Sequence, residues 1–276
     1  MYKCVAVAEV QSFVERCMRA VGTDPQHSTA LSQVLTEADF RGHFTHGLNR
    51  LEVYVRDIKN GVTQPQGEPS IEKEAGATAL VNGNNLLGPV VGNFCMELAI
   101  KKAKEHGIGW VVCKGSTHFG IAGWYSAQAL QHGMIGMSMT NTSPVVVPTR
   151  ASQSSIGTNP LSVAAPGKAG DSFLLDMATS GVALGKVEMC HRKETEIPQG
   201  WGVNSKGLET VDPKEVFEGG GLLPLGGKEI TGGYKGYGLA MMVDVFCGIL
   251  SGSTFGTNIN DGRGKTKDWL TWVTVS

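Results

Sequence analysis

From residue 78 to residue 140 the chain repeats one pattern: a short apolar run, a segment with helical periodicity, and a glycine at the junctions. Thr78–Val81, Ile108–Cys113 and Met134–Thr140 read as strands, and Ser172–Asp176 adds another beyond them. Asn93–His106 and Gly120–His132 read as helices, stopped by Gly107 and Gly133 in the left-handed position after a helix. Strands that alternate with helices must stack in layers, because each element buries one face against the other kind. The pattern therefore specifies an α/β fold. Glycine is abundant, 38 of 276 residues, but has no fixed period, which excludes a collagen-like rod.

The first 72 residues have a different texture and read as an N-terminal helical region. Ser12, with Glu15 three positions on, has the spacing of a capping box for a helix reaching Ala20. A second helix is expected over Ser28–Asp39, with Leu31, Val34 and Leu35 on one face, and a third over Gly47–Lys59, stopped by Asn60-Gly61. Residues 61–72, carrying Pro65, Gly67 and Pro69, read as a linker, and Asn82-Gly83 reads as a turn. The α/β body is expected over 73–256, with a long polar excursion at 188–233 followed by an apolar helix over Gly236–Leu250. Residues 257–276 form an atypical polar tail.

Several function classes are excluded. Lys plus Arg is 24 and Asp plus Glu is 25, so no basic footprint for nucleic acid exists. A chain with 41% hydrophobic and 18% charged residues is not disordered. No apolar run reaches 18 residues, so no membrane span is expected. The six cysteines are widely spaced, form no C-x-x-C pair and mostly sit in apolar context, which reads as reduced thiols in the cytoplasm. The usual nucleotide and hydrolase signatures are missing: no G-x-G-x-x-G, no G-x-S-x-G and no H-E-x-x-H. Gly264-Lys265-Thr266 resembles the end of a phosphate loop, but Ile259 stands where that loop needs glycine.

Four polar groups remain as candidates. His118, between Gly115 and Gly120, follows a strand and precedes a helix, where α/β proteins place reactive groups. Histidine can take and return a proton near neutrality, although a helix-capping role fits the position equally well. Thr45, His46, Arg50 and Tyr54 form a second group. The spacing of the last three aligns them on one helix face, either as a carboxylate clamp through arginine or as a solvated surface. His43 and His46 have metal-ligand spacing on a helix but lack carboxylate or thiolate partners, so no metal is expected and a histidine-based metallohydrolase is disfavoured. Asp176-Met177-Ala178 ends a strand, where an acid can meet ribose hydroxyls or simply cap the next segment. Lys235 stands before a helix in a glycine-rich loop, a place for a phosphate or for an exposed lysine.

These segments together resemble the malate/L-lactate dehydrogenase family that lacks the Rossmann fold, whose members include ureidoglycolate dehydrogenase, sulfolactate dehydrogenase and Δ1-piperideine-2-carboxylate reductase. The resemblance rests on Asp39 with Thr45-His46-Gly47-Leu48-Asn49-Arg50, on Gly115 to Tyr125, on Gly157-Thr158-Asn159-Pro160, on Asp176 to Ser180, on Ile197 to Trp201 and on Gly233 to Leu239. It implies a non-Rossmann α/β fold, a homodimer, and interconversion of a small 2-hydroxy acid and its 2-oxo acid with NAD or NADP. It further implies that His118 exchanges the proton and Arg50 holds the substrate carboxylate, with Thr45, His46 and Tyr54 lining the pocket. Asn141, Thr142, Ser143, Asp176, Met177, Ala178 and Lys235 are implied as dinucleotide contacts. Thr45 stands where the family usually has serine. Past Thr257 the family pattern is not apparent, so a truncated, catalytically compromised isoform is the alternative expectation.

Overall fold

The computed structural model describes residues 4–259 and 272–275. The chain opens with helices α1 (Val7–Arg19), α2 (Pro25–Phe40) and α3 (Leu51–Lys59). Strands β1 (Ser70–Ala75) and β2 (Thr78–Leu86) follow, then α4 (Gly88–His106), β3 (Trp110–Ser116), α5 (Gly123–Gln128) and β4 (Gly136–Thr140). After them come β5 (Leu161–Pro166), β6 (Ser172–Met177), α6 (Leu184–Arg192), β7 (Gly202–Val203), β8 (Glu209–Thr210), α7 (Pro213–Phe217), β9 (Gly221–Leu222) and α8 (Gly233–Asp244). A π-helical turn, Val245–Ile249, extends α8, and β10 (Trp272–Val275) ends the described chain.

Seven strands form one sheet in the order β1-β2-β3-β10-β4-β5-β6, and β8-β7-β9 form a second, small one. β1 pairs antiparallel with β2, whereas β2 and β3 run parallel with α4 as the crossover, the arrangement a strand–helix–strand unit requires. The chain divides into two compact units. The described residues of the first are 4–138, 163–174 and 273–275, and those of the second are 139–162, 175–259 and 272. These limits do not follow the sequence boundaries at 72 and 256, because β4, β5 and β6 each carry residues of both units.

In the first unit, Val14 and Met18 of α1, Leu31 and Leu35 of α2, and Leu51, Tyr54 and Ile58 of α3 share one buried cluster with Leu87. The second unit has its own core, built from Val146, Ile156, Val182, Val187, Ile197, Val216, Leu222 and Ala240.

Local details correct several expectations. Ser12 caps nothing: α1 begins at Val7, and the Ser12 hydroxyl lies inside it, accepting a hydrogen bond from Arg16 at 2.7 Å. The side-chain cap belongs to α2, where Asp24 accepts from the Gln26 amide at 2.8 Å and Pro25 fills the first helical position. Leu31, Val34 and Leu35 are buried as their periodicity predicts. The linker ends at Ser70, where the fully exposed strand β1 begins. Asn82-Gly83 is not a turn but part of β2. A side chain at Gly83 would meet the Gly115 carbonyl at 2.7 Å, so glycine there serves the close approach of β2 to β3. The excursion at 188–233 contains the end of α6, the small sheet and α7.

Candidate active site

The site residues of the first unit are positioned by three elements. Asp39, near the end of α2, reaches forward nine residues and accepts the Leu48 amide at 2.8 Å. Its carboxylate also occupies the space where a side chain on Gly47 would stand, since a Cβ there would lie 1.8 Å from Asp39 Oδ1. The loop is thereby pinned, and the chain enters a short 3-10 turn, Leu48–Arg50, before α3 begins at Leu51. This corrects the expectation of one helix face: His46 lies in the loop, Arg50 in the 3-10 turn, and only Tyr54 in the α-helix.

The residues nevertheless converge. Arg50 Nε donates to the Thr45 carbonyl at 2.7 Å, which ties the guanidinium back to the loop. Thr45 Oγ1 lies 2.8 Å from His46 Nδ1. Thr45, His46 and Arg50 are half-buried, and Tyr54 is buried. His118 sits between β3 and α5, as its sequence position suggests, with Nδ1 2.6 Å from the Tyr54 hydroxyl and 3.3 Å from the Gly120 amide. Gly120 has φ +79, and a Cβ there would lie 2.4 Å from Val34, so this turn needs glycine both for its backbone and for its packing. The rings of His46 and His118 stack with centroids 5.6 Å apart at 22°, and Tyr54 meets His118 edge-on at 5.7 Å. Tyr125, fully buried, donates to the Phe119 carbonyl at 2.6 Å and stacks on the Phe119 ring, which fixes the backbone next to His118.

Electrostatics follow from this crowding. Burial lowers the His118 pKa to about 3, with His46 and Arg50 pushing the same way. Burial also lowers His46 to about 4, helped by Arg50 and His43. Tyr54 is pushed upward by burial. The cluster at rest is therefore two neutral imidazoles and a neutral phenol beside one guanidinium. It can hold an anion at Arg50 and exchange a proton at histidine. His43 is exposed, and among the described residues no group of three or more His, Cys, Asp or Glu is arranged to hold a metal ion.

The second unit holds the expected dinucleotide residues. Asn141, Thr142 and Ser143 follow β4; Asp176 and Met177 end β6, with Ala178 next; Lys235 is exposed in the first turn of α8. Their frame centres on Asn159, which is fully buried with a left-handed backbone, φ +35. Asn159 Oδ1 accepts from the Thr142 amide at 2.9 Å, and its Nδ2 donates to the Ala240 carbonyl at 2.9 Å and to Asp244 Oδ1 at 3.1 Å. Thr142 Oγ1 in turn accepts from the Thr158 amide, and Thr179 Oγ1 donates to the Thr158 and Asn159 carbonyls. One asparagine thus links the segment at 141–143, the strand end before Thr179 and α8, whose first turn carries Lys235. The donor set suits a dinucleotide: a carboxylate at a strand end for ribose hydroxyls, a lysine at a helix start for phosphate, and backbone amides held in place.

Asp39, Asn159 and Asp244 received no role from the sequence. Asp39 and Asn159 stand inside family-like motifs, yet their contacts lie 9, 17 and 85 residues away and leave no periodic trace.

Comparison with known proteins gives concordant results. The family described as malate/L-lactate dehydrogenase matches residues 5–273. The malate dehydrogenase of Pyrococcus abyssi is 46% identical over 261 residues, covering 94% of this chain and 72% of that protein. The malate/(S)-sulfolactate dehydrogenase of Methanothermus fervidus is 39% identical, covering 92% and 73%. The crystal structure of malate dehydrogenase from Entamoeba histolytica superposes with a TM-score of 0.95 at 35% identity, covering 100% of this chain and 78% of that one. The expectation that the family pattern ends near Thr257 is corrected, because the match continues to residue 273 and β10 pairs within the main sheet.

Proposed function

The chain belongs to the malate/L-lactate dehydrogenase family, an oxidoreductase family acting on 2-hydroxy acids, and on that premise we propose how its residues divide the work. The enzyme interconverts a 2-hydroxy acid and its 2-oxo acid. Arg50 binds the substrate carboxylate through its planar fork, His118 exchanges the proton of the 2-oxygen, and Thr45, His46 and Tyr54 shape the pocket. The observation that carries this reading is the joint placement of Arg50, His46, His118 and Tyr54 around one stacked imidazole pair.

A bound nicotinamide dinucleotide supplies the chemistry of hydride acceptance or release at the substrate carbon. Asn141, Thr142, Ser143, Asp176, Met177, Ala178 and Lys235 would hold it, with Asn159 fixing their segments. The protein's own part is charge and proton control. Burial, with His46 and Arg50 pushing the same way, keeps His118 neutral, and a neutral ring with a lone pair facing the substrate can accept the hydroxyl proton during oxidation. A carboxylate on Arg50 offsets the guanidinium charge, so each histidine becomes easier to protonate once substrate is seated. Reduction is favoured by that same shift, because His118 must then deliver a proton to the product oxygen.

The relatives named for malate and for malate/(S)-sulfolactate support a substrate with a second anionic group. We propose a malate-like dianion over a lactate-like monoanion. The choice between NAD and NADP is read from which nucleotide binds. The six cysteines, all free, support a reducing, cytoplasmic setting, and exposed Tyr234, Met241, Val245 and Ile249 on and after α8 support a homodimer. Among the described residues no helix is long and apolar enough to cross a membrane. The residues at 1–72 supply the carboxylate clamp, and the α/β body at 73–256 supplies His118 and the dinucleotide contacts. The deciding experiment follows NADH and NADPH oxidation by the purified chain with oxaloacetate, sulfopyruvate and pyruvate. Turnover is expected with the two dianions. Turnover of pyruvate alone would overturn the substrate proposal, and the absence of turnover with every 2-oxo acid would overturn the reading of the site.

A further inference from the structure

We propose that Tyr54 is a positioning residue that selects the tautomer of His118, holding Nδ1 as an acceptor so that Nε2 carries the ring hydrogen toward the ligand. Two groups converge on Nδ1: the Tyr54 hydroxyl at 2.6 Å and the Gly120 amide at 3.3 Å. A backbone N–H can only donate, so the nitrogen it addresses must offer a lone pair. The Tyr54 hydroxyl can donate or accept. Beside an amide aimed at the same lone pair, and with no other acceptor among the described residues, it donates. Nε2 is the remaining nitrogen. It has no protein partner among the described residues and is the nitrogen left for a ligand. The arrangement is rigid: Tyr54 is 2% exposed within the helical core, and Gly120 is fixed by its positive φ and its contact with Val34.

This tautomer gives the resting site a direction. A neutral ring with hydrogen on Nε2 donates a hydrogen bond to the oxygen of a 2-oxo acid; it transfers that proton once Nδ1 has taken one from solvent, which leaves the ring neutral with hydrogen on Nδ1. A 2-hydroxy acid that is to give up its proton needs the opposite tautomer, with hydrogen on Nδ1 and the Tyr54 hydroxyl turned to accept. The two resting forms differ by one ring proton, moved between Nε2 and Nδ1 through solvent, and by the rotation of the Tyr54 O–H, and the Gly120 amide weights them toward hydrogen on Nε2. The functional consequence rests on His118 being the proton-exchanging group; the tautomer itself does not, and can be read in the empty protein.

The test is 15N NMR of the histidine side chains at neutral pH in the chain without ligand, with His118 identified by the signal lost in His118→Gln. Wild-type His118 is expected in a single form, hydrogen on Nε2 and Nδ1 shifted as a hydrogen-bonded acceptor, whereas exposed His43 averages between tautomers. In Tyr54→Phe the Nδ1 resonance is expected to move toward that of an unbonded acceptor, and kcat/KM for the 2-oxo acid to fall about tenfold with cofactor affinity unchanged within about twofold. Hydrogen on Nδ1 in wild type would overturn the proposal. So would an Nδ1 shift unchanged in a Tyr54→Phe protein whose circular dichroism matches wild type. If Tyr54→Phe does not fold, the wild-type spectrum alone decides. If the chain turns over no 2-oxo acid, the spectrum still decides the tautomer, and the failure falls on the assigned reaction.

Discussion

Replacing Asn159 with alanine should damage folding and cofactor affinity together, by an amount the structure allows to be worked out. The side chain is fully buried and makes three hydrogen bonds, to the Thr142 amide, the Ala240 carbonyl and Asp244. Ala240 lies within α8, so its carbonyl retains a helical partner. The Thr142 amide and one Asp244 oxygen lose theirs, at about 1–3 kcal/mol for each buried group left unpaired. Alanine also tolerates the φ of +35 less well than asparagine, adding roughly 1 kcal/mol. The expected total is about 3–7 kcal/mol, a large share of the roughly 5–15 kcal/mol that holds a typical protein folded. At about 3 kcal/mol per molar urea, the unfolding midpoint should fall by about 1–2 M. Cofactor affinity, followed by quenching of tryptophan fluorescence on titration with NADH, should weaken at least about tenfold, because the segment at 141–143 loses its anchor. Asn159→Asp should be as harmful, since it sets a second carboxylate against Asp244. A stable Asn159→Ala protein with wild-type affinity would refute the reasoning: the asparagine would then be a bystander.

Arg50→Lys keeps the charge but loses the planar fork, so KM for the 2-oxo acid should rise by at least about tenfold while NADH affinity holds; an equal fall in both affinities would count against the clamp. His118→Ala should cost about 10²–10⁴ in kcat with cofactor binding intact, and near-normal turnover in a folded variant would remove His118 from the chemistry. Gly47→Ala should misplace the loop bearing Thr45 and His46, because the new methyl group overlaps Asp39; activity should drop and thermal stability fall by about 1–3 kcal/mol, while unchanged activity would show that the loop adapts. Burial raises the Asp244 carboxyl from 3.8 to about 6, so the native state binds this proton more tightly than the unfolded chain does. That contribution, about 3 kcal/mol, is fully present below pH 3.8 and is lost as pH rises through 6. Urea midpoints of Asp244→Asn should therefore vary less between pH 4 and 7 than those of wild type, and parallel curves would contradict the assignment.

The legible part of the sequence was its local chemistry. Gly107 does adopt the left-handed conformation that stops α4, and His118 does follow a strand, because strand ends and helix stops are written in adjacent residues. The convergence of Thr45, His46, Arg50 and Tyr54 was legible too, but for the wrong geometric reason. Asp39 and the missing side chain of Gly47 bend the chain out of the helix that i, i+4 spacing suggested. Strand β1 escaped notice because all six of its residues are exposed, leaving no alternation to read. Strand β10 escaped because a short, polar-flanked run near the chain end gives no hint of which strands it joins. Asn159 shows the general limit. Its motif is local in the sequence, but its work depends on Asp244, whose proximity exists only in the folded chain.

The low proton affinity of both stacked imidazoles sets up a simple count of charge. At rest, Thr45, His46, Arg50, Tyr54 and His118 together carry one positive charge. A lactate-like monoanion brings that count to zero and asks nothing more of the protein. A malate-like dianion overshoots to minus one, and the cheapest way back to neutrality in a half-buried space is to draw a proton from solvent onto an imidazole. A doubly charged 2-oxo acid thus recruits, by arriving, the acid equivalent that its reduction consumes, whereas a singly charged one only neutralises the guanidinium and leaves no excess negative charge to draw that proton in. Discrimination between the two classes can therefore reside in proton inventory as much as in pocket shape.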